Sequence, residues 1–95
     1  QKPILFTEYG YESIDYNTKG HWNIAKDTLE LNYENQIIAF DALYESMRSE
    51  EWWQGGFIWK WHLNRNGLNR RNMKAYTPQD KPALNIIKNE FKTHY

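Results

Sequence analysis

The sequence predicts an α/β fold, a β-α-β-α order with parallel strands, and three observations carry that prediction. Two short apolar runs have the composition and boundaries of buried strands: Ile4–Thr7 between Pro3 and Gly10, and Phe57–Trp61 after Gly55-Gly56. Between them runs a helical stripe of about four turns, a crossover that makes two such strands parallel. Long connections follow the strands, and only a short link leads from helix back to strand, which is the asymmetry of a (β/α) barrel wall. Two such units cannot close a barrel, since a complete one takes about 250 residues.

Within the first strand, side chains alternate, so Ile4, Phe6 and Glu8 are expected on one face and Leu5 and Thr7 on the other. Glu8 falls where the run stops. If its face is the inside of a barrel, the last member of that face is a carboxylate at the carboxyl end of a strand, where (β/α)8 barrels present catalytic groups. An ordinary solvated Glu closing a strand has the same local sequence, so the rest of the chain must distinguish the two.

Residues 11–31 form a long polar and aromatic passage carrying Tyr11, Tyr16, His21 and Trp22. Connections longer than about 12 to 15 residues are often functional. The passage reads as a working loop in which Trp22 and Tyr16 either touch a ligand or pin the loop to the body. Asn32 then looks like an N-cap, and Tyr33, Ile37, Phe40, Tyr44 and Met47 recur at helical spacing, widened by Ile38 and Leu43. A helix from about residue 33 to 49 follows, its aromatics read as core. In the link from Ser49 to Gln54, one of Trp52 and Trp53 is expected to cover the bottom of the barrel.

In the second strand, Phe57, Trp59 and Trp61 are expected on one face and Ile58 and Lys60 on the other. A second long loop, residues 62–77, contains Arg65, Arg70 and Arg71. Pro78 to Pro82 turns the chain into a last helix, since Pro suits the first helical turn. Its inner stripe is read as Ala83, Leu84, Ile87 and Phe91, with Lys88, Glu90 and Lys92 toward water.

Bulk properties narrow the functions. The 95 residues are 40% hydrophobic and 25% charged, which is the balance of one small folded domain. Twelve basic and twelve acidic residues give no net field for nucleic acid or an anionic membrane. The absence of cysteine excludes disulfides and thiolate metal sites. No apolar stretch reaches the roughly 20 residues of a membrane span, no signal peptide is visible, and the compartment, cytoplasmic or secreted, stays open. The chain starts with Gln, which suggests a piece of something longer. The aromatic content of 17%, with five Trp and seven Tyr, suits both core packing and the flat faces of sugars.

The run Lys2-Pro3-Ile4-Leu5-Phe6-Thr7-Glu8-Tyr9-Gly10-Tyr11, the helix opening at Asn32 to Gln36, Gly55-Gly56-Phe57-Ile58-Trp59-Lys60-Trp61 and Thr77-Pro78-Gln79-Asp80-Lys81-Pro82-Ala83 together resemble the carboxy-terminal quarter of the glycoside hydrolase family 113 barrels, the β-mannanases. The resemblance covers essentially the whole chain. It implies that residues 1–95 are the C-terminal β-α-β-α portion, strands 7 and 8 with their helices, of a (β/α)8 TIM barrel. It further implies a retaining glycosidase, with Glu8 at the nucleophile position and Trp59 or Trp61 as the aromatic floor under the sugar; Tyr9 and Tyr11 would flank the nucleophile at the rim. Trp22 is a further candidate for sugar contact.

Retaining hydrolysis needs two carboxyl groups about 5 to 5.5 Å apart, one to attack the anomeric carbon and one to release the leaving oxygen. The sequence lacks an Asn-Glu strand ending for the second, and Glu12 in the adjoining loop does not match that position. This chain alone is therefore expected to be inactive. No metal and no cofactor are expected. The expected partners are an oligo- or polysaccharide and either the remainder of the barrel or further copies of the chain, met through open sheet edges. A non-catalytic carbohydrate-binding or scaffold domain using Trp22, Trp59 and Trp61 is the alternative. A nucleic-acid module built on the three Arg is disfavoured by the neutral charge and would show a steep salt dependence.

Overall fold

A computed structural model describes residues 2–18, 29–63 and 73–94. The order is β1 (Ile4–Tyr9), α1 (Tyr33–Met47), β2 (Trp53–Ile58) and α2 (Ala83–His94). The two strands pair in parallel as one sheet, as the crossover predicts. Trp22, His21 and the three Arg of the second loop lie outside the described residues. Among the described residues, no helix is long and apolar enough to cross a membrane.

Both strands differ from strict alternation. β2 starts at Trp53, ahead of the two glycines, and stops at Ile58. The partners Ile4↔Trp53, Phe6↔Gly56 and Tyr9↔Ile58 require an extra residue in β2 below Gly56 and another in β1 between Phe6 and Tyr9. Gly55 accommodates the first with φ 91°, a backbone that side chains rarely allow. The second reverses the parity of β1. Phe6 meets Trp53 edge to face at 4.8 Å, and Tyr9 meets Phe40, Tyr44 and Trp53 at 6.3, 6.0 and 6.4 Å, so both rings turn toward the helices. Phe6 and Tyr9, three residues apart, therefore share a face, contrary to the period-2 expectation. Of the two tryptophans in the link, Trp53 is the one packed inside.

The core lies between the sheet and the helix layer, built on Tyr9, Phe40, Tyr44, Ala83 and Ile87, with Phe6, Tyr11, Ile37, Leu43, Ile58 and Ile86 around it. Burying these aromatics contributes most, at roughly 25 cal/mol per Å² of apolar surface. Asn32 caps α1, its Oδ1 accepting the N–H of Asn35 at 2.9 Å, which satisfies one donor the helix leaves open. The inner face of α1 is rotated from the apolar stripe: Gln36, Ala39, Phe40 and Tyr44 are buried and Ile38 is exposed.

In α2 the buried positions are Ala83, Ile87 and Glu90, while Phe91 is exposed. Glu90 thus faces α1 instead of water. The reason is a partner: Arg48, at the end of α1, donates from Nη2 to Glu90 Oε1 at 2.8 Å. The second carboxylate oxygen of Glu90 is buried with no hydrogen-bond partner among the described residues.

Candidate active site

The site is built where both strands end. Tyr9 sends its ring into the core and donates or accepts a 2.8 Å hydrogen bond with the Tyr44 hydroxyl. Glu8 precedes it as the next-to-last residue of β1. It is exposed there. Tyr9 is consequently a core residue and not a rim residue; the extra residue in β1 moved it inward.

β2 ends beside this point. The N–H of Trp59 donates to the Tyr9 carbonyl at 2.6 Å, the last rung of the ladder. Gly10 lies flat against that rung: a Cβ on it would stand 1.8 Å from the Trp59 carbonyl oxygen. Only glycine allows the two chains to approach so closely. Trp59 is 44% exposed, and the Lys60 ammonium sits 5.4 Å from its ring centroid, a cation–π contact. The Trp59–Lys60 peptide bond is cis.

Trp61 parts from Trp59. With the strand finished at Ile58, alternation no longer governs it, and it lines a groove of about 900 Å³ between the free edge of β2 and α2, with Phe57, Leu84, Lys88 and Phe91. It shares that groove with Phe57, as the expected common face of the two requires, while Trp59 is not among the residues lining it. Tyr11 is half-buried and meets Phe40 edge to face at 5.3 Å. Burial pushes its hydroxyl pKa above the ordinary 10.0. Trp22, the remaining candidate, lies outside the described residues.

Several residues that hold these ends together carry no signal in the periodicity. Gln36, fully buried in the first turns of α1, donates from Nε2 to the carbonyls of Tyr11, Tyr76 and Thr77 at 2.9, 3.2 and 3.5 Å. It thereby ties the loop after β1 to the loop after β2. Lys81 is buried and donates from Nζ to Ser13 Oγ at 3.0 Å and to the Ala75 carbonyl at 2.9 Å. The loop after β1 is further fixed by an antiparallel bridge between Ile14 and Leu31. Glu12 is buried in that loop at 2% exposure. Among the described residues, no cluster of His, Asp or Glu could hold a metal ion.

A parallel sheet backed by helices, with a carboxylate at the carboxyl end of one strand and tryptophans at the end of the next, is an α/β fold that matches a portion of a TIM-barrel glycoside hydrolase. The chain belongs to glycoside hydrolase family 113, whose family model matches residues 1–81. Two solved structures of GH113 β-1,4-mannanases superpose on it with a TM-score of 0.81, at 22% and 21% sequence identity. Each alignment covers 98% of this chain and 30% of the mannanase, so the chain spans about a third of the length of these proteins. No curated protein matches the chain.

Proposed function

We propose that this chain is the C-terminal part of a retaining glycosidase acting on a β-linked polysaccharide, β-mannan above all, and that it supplies strands 7 and 8 of the barrel with their helices. Glu8 is the nucleophile. It attacks the anomeric carbon and forms a covalent glycosyl-enzyme, which water then hydrolyses. The acid/base carboxyl comes from a part of the barrel outside this chain, so residues 1–95 alone do not turn over. Trp59 is the sugar platform, since its exposed indole stands at the end of β2, where its backbone pairs with the residue after Glu8. Tyr11 backs the nucleophile from the adjoining loop.

The observation that carries this reading is the pairing of Tyr9 with Trp59, which brings an exposed indole beside the residue following an exposed strand-end carboxylate. The remainder of the barrel is the partner at the open edges. The groove lined by Trp61, Phe57 and Phe91 is apolar and borders an unpaired strand edge, which suits another strand and its helix. Trapping the full-length protein with a 2-fluoro mannoside and mapping the labelled peptide tests the nucleophile: label is expected on Glu8, and label elsewhere overturns the assignment.

The exposure of Phe57, Trp59 and Trp61 at 65, 44 and 50% favours a second reading, a carbohydrate-binding surface that cuts no bond. Glu8→Gln in the full-length protein separates the two. Oligosaccharide binding survives in both, whereas wild-type hydrolysis and its loss in the variant belong to the first alone.

A further inference from the structure

The four-residue span that leaves β2 is held at both ends, and the second tether is a side chain. Gln79 is 8% exposed. Its Oε1 accepts the N–H of His62 at 2.9 Å while its Nε2 donates to the His62 carbonyl at 3.0 Å. A carboxamide thus makes with one residue the double pairing that a neighbouring strand would make.

The orientation of that carboxamide is fixed by Thr77. The Thr77 hydroxyl donates to the same Oε1 at 2.9 Å and accepts the N–H of Gln79 at 3.2 Å. With two donors on Oε1 and a carbonyl beside Nε2, turning the amide over would set donor against donor. The tether therefore has one state. At its other end the span is fixed by the Trp59–Tyr9 rung. Trp59 is too exposed for side-chain packing alone to fix its ring.

We propose that Gln79 is a positioning residue for the Trp59 sugar platform: by clamping His62 it orders the Trp59–His62 span before the ligand arrives. This rests on the reading of Trp59 as the platform. Ordering the span in advance lowers the entropic cost of stacking a sugar on it, so its loss should weaken binding more than it slows chemistry.

The test uses the full-length protein with β-1,4-mannohexaose, reading KM and kcat by hydrolysis and Kd by tryptophan fluorescence. For Gln79→Ala, KM and Kd are expected to rise about tenfold with kcat held within about twofold. Gln79→Glu keeps the acceptor for His62 and Thr77 but sets a carboxylate oxygen against the His62 carbonyl, so its KM and Kd should rise at least as far as in Gln79→Ala. It also serves as the readout should Gln79→Ala not fold. Unchanged KM and Kd in both variants, or a fall in kcat with KM unchanged, would overturn the proposal. A wild-type protein that binds mannohexaose without cutting it removes Glu8 as nucleophile, and the fluorescence titration still decides on Gln79. A wild-type protein that does not bind it removes both.

Discussion

The Trp59 N–H donates to the Tyr9 carbonyl at 2.6 Å, the last rung of the ladder between the strand that carries the carboxylate and the strand whose end carries the indole. Whatever moves either strand end changes the distance between Glu8 and Trp59.

Gly10 is the most sensitive position at that junction. An added methyl would stand 1.8 Å from the Trp59 carbonyl oxygen, a backbone atom that cannot swing aside. Gly10→Ala is expected to cost about 3 kcal/mol and to lower kcat/KM of the full-length protein as the strand ends separate. Thermal melting and steady-state kinetics together check this, and a variant with wild-type values of both would contradict the close approach.

The two exposed tryptophans should respond differently. Trp59→Ala is expected to weaken mannohexaose binding by about tenfold or more, an amount in keeping with loss of one aromatic stacking contact. Trp61→Ala should leave sugar binding within about twofold and instead destabilise the full-length protein, because its ring lines the groove at the free edge of β2. Equal effects of the two on binding would return Trp61 to the sugar site.

Much of this arrangement is legible in the sequence, and what is not has identifiable causes. The Asn32 cap, the core places of Phe40 and Tyr44 on α1 and the parallel crossover rest on local chemistry and periodicity, and they are present as expected. The strand faces are not, because each strand carries an extra residue that alternation does not register. That is why Tyr9 lies in the core and Phe6 faces the helices. Gln36, Gln79 and Glu90 are buried although polar residues count as outward in any apolar pattern. Their partners are 25 to 42 residues away for Gln36 and Glu90, and only the fold brings them together.

Arg48 and Glu90 offer a test of buried charge. Arg48→Ala leaves the Glu90 carboxylate inside without its cation. The expected loss is about 2 kcal/mol, less than for a wholly buried pair because the Arg48 side chain is 40% exposed. Replacing both, as Arg48→Met with Glu90→Leu, should restore stability to within about 1 kcal/mol of wild type, since it also removes the unpartnered Oε2. Urea titration of the single and double variants measures the difference.

Tyr11 sets an alkaline limit. Burial raises its pKa in the folded state above the ordinary 10.0, so the unfolded chain releases the proton first as pH rises. In that window the folded state binds more protons and stability falls with increasing pH. The contribution is complete below pH 10.0 and is lost as pH climbs through the raised folded value. Melting temperatures of wild type and Tyr11→Phe should run parallel at neutral pH, with the wild type dropping more steeply above pH 10.0.

The three carbonyls gathered by the Gln36 amide have a kinetic corollary. Tyr11 belongs to one loop and Tyr76 and Thr77 to the other, yet all three are released only when a single side chain lets go. The two loops are thus geared together, and Lys81 bridges Ser13 and Ala75 beside them: backbone amides around residues 11–13 and 75–77 should exchange with solvent deuterium at one shared opening rate, which Gln36→Leu should raise and only Gln36→Leu with Lys81→Met should split into two.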